Sequence, residues 1–168
     1  MQAEYVSVSA ANVEIIKANK ILQVKAGTGP LDERVVERCQ RVMDENQVDF
    51  APMAMEYLDE LDGAIAKASK AEGTREEKVA GMTAPVMQLK ANASTFKYDL
   101  IGILANVMLS FLEGVKELDD DVIVIVSAHH QTLSAIVSNK MMGDGGVHGQ
   151  QMEKELKGAC QRYFSKRK

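Results

Sequence analysis

The stretch PVMQLKANASTFKYDLIGILANVMLSFLEGV, Pro85 to Val115, decides the fold. Its apolar residues Val86, Leu89, Ala93, Phe96, Leu100, Ile103 or Leu104, Val107 and Phe111 return every three or four positions. That is the rhythm of one helix face, and it runs almost without interruption, so the spacing predicts the longest element of the chain here. Pro85 removes an amide donor and is expected to kink or restart the chain. Leu104, Met108 and Leu112 widen the stripe beyond what a lightly covered surface helix needs. The element is therefore either central to a bundle or shared with a second subunit.

Downstream, Asp119, Asp120 and Asp121 supply a cap and negative charge at a helix start, and Val122 to Met142 reads as one helix. The run Val122-Ile-Val-Ile-Val126 is β-branched and could form a buried strand, but Tyr5-Val-Ser-Val8 is the nearest thing to a partner and is weak. Helix is the better reading. Gly143-Asp-Gly-Gly146 closes it, and a final helix from about Gly149 to Phe164 carries Met152, Leu156, Cys160 and Tyr163.

Upstream, Thr74-Arg-Glu-Glu77 has the form of a capping box. Leu58, Leu61, Ile65 and Ala68 share one face of the preceding helix, which Ala71 to Gly73 ends. Pro30 can start a helix whose residues Leu31, Val35, Cys39 and Val42 would form one buried face. Ser9 to about Val24 reads as a first helix, stopped by Gly27-Thr-Gly-Pro30. The expectation is all-α: a single domain over residues 1–168, a bundle of five to six helices organised by one long central helix.

Composition sets the outer bounds. With 46% hydrophobic and 26% charged residues in 168, the chain is built like a globular protein of one core, not like a disordered one. Its longest apolar run, Val122 to Val126, is far too short to span a bilayer as a helix, and the start at Met1 lacks the basic and apolar regions of an export signal. A cytoplasmic location is expected. The net charge of −4 gives no general attraction for nucleic acid, although Ser165-Lys-Arg-Lys168 is locally basic. Cys39 and Cys160 lie far apart among apolar neighbours, which suits reduced core thiols rather than a disulfide.

Candidate chemistry is sparse. His129 and His130 are adjacent, so on a helix they point about 100° apart and cannot face one small site: one is expected buried, the other lateral. Either is a candidate phosphoacceptor in a helical bundle, but histidine phosphotransfer domains usually carry lysine three positions later, where Thr132 and Leu133 stand here. His148 could approach the pair only if the glycine turn folded back, and no acid or cysteine stands at metal-ligand spacing, so no metal or other cofactor is expected. Gly143, Asp144, Gly145, Gly146 and His148 form a candidate ligand or anion site, because glycines allow close backbone approach before a helix start. The competing reading of that segment is a tight helix-to-helix corner with Asp144 or Gly145 left-handed. Ser110, Ser134, Asp99 and Asp144 build no nucleophile elbow, so an enzymatic reading has no anchor.

The stretch from His130 through Gly143-Asp-Gly-Gly146 and Gly149 to Leu156 resembles the helical segments found beside receiver domains in some bacterial two-component and chemotaxis proteins. No receiver domain accompanies it. The resemblance implies a stand-alone helical signalling module that recognises another signalling protein through a helix face. The expected function is a non-catalytic signalling or regulatory interaction module, a homodimer on the strength of its wide apolar faces. The alternatives are a phosphotransfer protein using His129 or His130, and a small-ligand binder with an apolar cavity between its helices.

Overall fold

A computed structural model describes residues 20–27, 29–30, 32–45, 48–70 and 73–167. The chain divides into two units, Met1–Asn46 and Gln47–Lys168. All regular structure in the described residues is helical, as the periodicity predicts, and among them no helix is long and apolar enough to cross a membrane.

The first unit contains α1 (Ile21–Ala26) and α2 (Glu33–Asp44). Gly27 adopts φ 83 beyond α1, a conformation that costs glycine nothing and stops the helix. The Asp32 carboxylate caps α2 by accepting from the Arg34 amide at 2.9 Å, so the helix starts after Pro30 rather than on it. The spacing predicts burial for Val35, Cys39 and Val42; all three are exposed, and no residue of α2 is buried. Leu31, Ser9 to Asn19 and Tyr5 to Val8 lie outside the described residues.

The second unit holds α3 (Phe50–Ala68), α4 (Arg75–Ala93), α5 (Asp99–Gly114), α6 (Asp120–Ser138) and α7 (Gly146–Ser165). Helix α3 packs on α4 and α6, and α5 packs on the same two, which closes a four-helix ring; α7 lies against α5 and α6. The connections are short, as neighbours in a bundle require. Two apolar layers fill it. One is built around Leu61, Met82, Met108, Phe111, Val122 and Tyr163, the other around Phe50, Leu58, Leu89, Leu104, Leu133 and Leu156.

The long helix read from Pro85 to Val115 is two helices. Ser94 to Tyr98 form a turn in which Lys97 is left-handed at φ 61. The apolar rhythm survives the break because Phe96 and Tyr98 turn inward onto Phe50, with ring centroids 5.1 and 5.2 Å away, so the spacing imitates a helix that is absent. Pro85 starts nothing: it is buried within α4, whose start is the Thr74 capping box, with Glu77 N–H to Thr74 Oγ1 at 3.2 Å and Thr74 N–H to Glu77 Oε2 at 2.9 Å. Leu104, Met108 and Leu112 are fully buried within the bundle, so α5 is central and leaves that stripe nothing to offer a second subunit.

The β-branched run is helical. Asp119 accepts from the Val122 amide at 3.0 Å, and Val122 and Val126, four residues apart, are buried while Val124 faces outward. A carboxylate cap and burial at helical spacing outweigh the β preference of these residues. Helix α6 stops at Ser138, ahead of Lys140 at φ 49, and α7 begins at Gly146, earlier than Gly149.

Candidate functional site

His129 and His130 diverge as their adjacency requires. His129 is fully buried, and its Nδ1–H donates to the Ile125 carbonyl one turn earlier at 2.8 Å. Its Nε2 is then a lone-pair acceptor, buried without a hydrogen-bond partner. Burial holds the ring below the ordinary imidazole range, against the opposing effect of the Ile125 bond. His130 is half-buried, and its Nε2 lies 3.2 Å from the Leu58 carbonyl, tying α6 to α3. A phosphoacceptor must meet a donor protein's active site; His129 is closed to one, and His130 has its Nε2 committed to backbone. His148 is exposed on the first turn of α7. Among the described residues, no group of three His, Cys, Asp or Glu side chains stands close enough to hold a metal ion.

The glycine segment is a corner. Gly143, Gly145 and Gly146 all have positive φ, at 75, 72 and 55. The Gly143 amide donates to Lys97 O at 2.6 Å, and Gly143 O accepts from the Leu100 amide at 2.9 Å, so this corner is stitched to the turn between α4 and α5. The Gly146 amide goes to Asp144 Oδ1 and the Gly149 amide to Gly145 O, both at 2.9 Å. These amides are occupied, one by a carboxylate standing where an anion would have to bind. Glycine is demanded by space as well. A Cβ on Gly149 would lie 2.1 Å from Asp144 O, and one on Gly145 would lie 2.7 Å from Leu100 Cδ2.

The surface grooves among the described residues include two on the second unit. One, of about 510 Å³, is lined by Lys90, Ser94, Asp99, Asn106, Glu153 and Lys157. Both of its lysines are answered, Lys90 Nζ by Asn106 Oδ1 at 2.7 Å and Lys157 Nζ by Glu153 Oε1 at 2.5 Å. The other, of about 490 Å³, lies by Tyr163, Phe164 and Arg167. Arg167 covers the Tyr163 ring at 3.9 Å and bonds Asp119 and Asp121 at 2.5 and 3.1 Å, latching the end of α7 to the start of α6. Both are open at the surface and lined by charged as well as apolar side chains.

The feature that stands out is α2. Val35, Val36, Cys39, Val42 and Met43 fall at steps of one, three, three and one residue, which places them in a single stripe. Val42 is 70% exposed and Val36 49%. The charges are sorted by side. Arg34, Arg38 and Arg41 lie beyond the Val35 and Val42 edge; Glu33, Glu37 and Asp44 lie beyond the Val36 and Met43 edge. The rhythm is visible in the sequence, but its destination is not: the stripe faces outward instead of into a core.

No family model, curated protein or solved structure matches the chain.

Proposed function

We propose that this chain is a non-catalytic signalling or regulatory module that works by protein-protein contact, with the apolar stripe of α2 as its contact surface. The observation that carries this reading is the contrast between the two units. The bundle buries its own apolar stripes in closed layers, while α2 leaves all five of its apolar side chains accessible. A contiguous apolar face rimmed by charge is the usual form of a helix that docks on a protein.

The pathway, bacterial two-component or chemotaxis-type signalling, rests on the resemblance carried by His130, Gly143 to Gly146, Gly149 and Leu156. Within it the glycine corner holds the bundle together. The histidines do likewise, since His129 is sealed and His130 braces α3.

A photo-reactive phenylalanine analogue placed at Val42, and at Glu37 on the opposite side of α2 as the control, tests the reading in cells. Covalent products from Val42 that are weak or absent from Glu37 are expected. Equal products from both positions, or none from Val42, would remove α2 as the contact surface.

A further inference from the structure

We infer that the α2 stripe is occupied by a second copy of this chain, paired parallel to the first about a twofold axis. This rests on the reading of α2 as the contact surface and names its partner. A twelve-residue helix is marginal by itself in water, and one whose apolar side chains all face solvent gains nothing from packing. Covering the stripe is what makes such a helix worth forming.

The charges choose the occupant. The helix carries three arginines and three carboxylates, so it exerts no net pull toward an anionic surface or a phosphate backbone. Segregation matters more than the total. When two identical helices meet face to face in parallel, each flank lies against the opposite flank of the other; in an antiparallel pair each flank meets its own copy. The parallel arrangement therefore sets the Arg34 and Arg38 flank of each copy on the side of the Glu33 and Asp44 flank of the other, along both seams, with Glu37 and Arg41 on the far side of each helix. The antiparallel arrangement sets arginine against arginine and carboxylate against carboxylate, which costs affinity and excludes that register. Cys39 stands in mid-stripe, so in the pair it lies next to its own counterpart. Cys160, the other thiol, is buried inside the bundle and cannot substitute for it.

The full chain is tested by sedimentation and by a short bismaleimide. Wild type is expected to dimerise in the micromolar range, and Val36→Asp with Val42→Asp to weaken the dimer by about tenfold or more. The bismaleimide should join wild-type chains through Cys39 and fail on Cys39→Ser. In the Cys39→Ser background, Val36→Cys alone and Met43→Cys alone should each cross-link to themselves. A chain that stays monomeric, or a dimer indifferent to the double substitution, overturns the inference. So does cross-linking that appears only when the Val36→Cys and Met43→Cys chains are mixed, since that is the antiparallel signature. A monomer whose Val42 still cross-links to a different protein overturns the second copy alone, whereas a monomer with no product from Val42 defeats the contact-surface reading too.

Discussion

Replacing Gly149 by alanine sets two local effects against each other, and the structure says which wins. In an open helix the change would stabilise by up to about 1 kcal/mol, because alanine is the better helix former. At Gly149 the new Cβ would stand 2.1 Å from Asp144 O and 3.2 Å from Leu100 Cδ1. The nearer obstacle is backbone and cannot swing aside, so the corner must open. The bonds at risk are Gly149 N–H to Gly145 O, Gly146 N–H to Asp144 Oδ1, and the pair linking Gly143 to Lys97 and Leu100. Losing two of them costs about 2 kcal/mol, and forcing a methyl into packed space costs about 1–3 kcal/mol more. Net destabilisation of about 2 kcal/mol or more is expected. A methyl on Gly63, in α3, would meet nothing within 4 Å, so Gly63→Ala should stabilise by about 0.5–1 kcal/mol. Urea unfolding followed by circular dichroism measures both. A Gly149→Ala protein as stable as wild type would refute the structural account of the corner and reopen it as a ligand site.

Three further outcomes follow from the bundle. Because burial lowers the folded-state pKa of His129, the unfolded state takes up this proton first as the solution is acidified, so the stability is fully present above pH of about 6.5 and declines below it, by at most about 1.4 kcal/mol per pH unit; His129→Gln should flatten that slope relative to wild type in unfolding titrations between about pH 5 and 7. Leu104 is fully buried at the centre of α5, and Leu104→Ala should cost about 2–5 kcal/mol by thermal or urea unfolding, with a loss under about 1 kcal/mol contradicting the packing described. Burial pushes the Cys160 thiol up to about 11, whereas Cys39 is exposed, so at protein concentrations below the dimerisation range maleimide at neutral pH should label Cys39 in the native protein and reach Cys160 only on denaturation, as mass spectrometry of peptides would show.

Much of this architecture is legible in residue order. Periodicity finds the helices, Thr74 and Glu77 announce their capping box, and the β-branched Val122 to Val126 run reads as helix because nothing stands ready to pair with it. The adjacency of His129 and His130 implies one buried and one lateral ring, and the glycines imply a corner with Asp144 or Gly145 left-handed, of which the structure takes Gly145. What the sequence conceals is tertiary. Phe96 keeps helical spacing with Ala93 and Leu100 while belonging to a turn, because its ring packs on Phe50; a one-dimensional rhythm cannot separate that from a continuing helix. Val35, Cys39 and Val42 carry a genuine helical stripe, yet periodicity reports only that a face is apolar, not what it meets. The wide face of α5 and the narrow one of α2 accordingly part ways: the first is buried inside the bundle, and the second is exposed.

Hydrogen exchange followed across protein concentration tests the central claim most directly. The account predicts that the amides of residues 33–44 slow as concentration rises through the dimerisation range, while those of the α5 core stay unchanged. Exchange in α2 that is independent of concentration would contradict it.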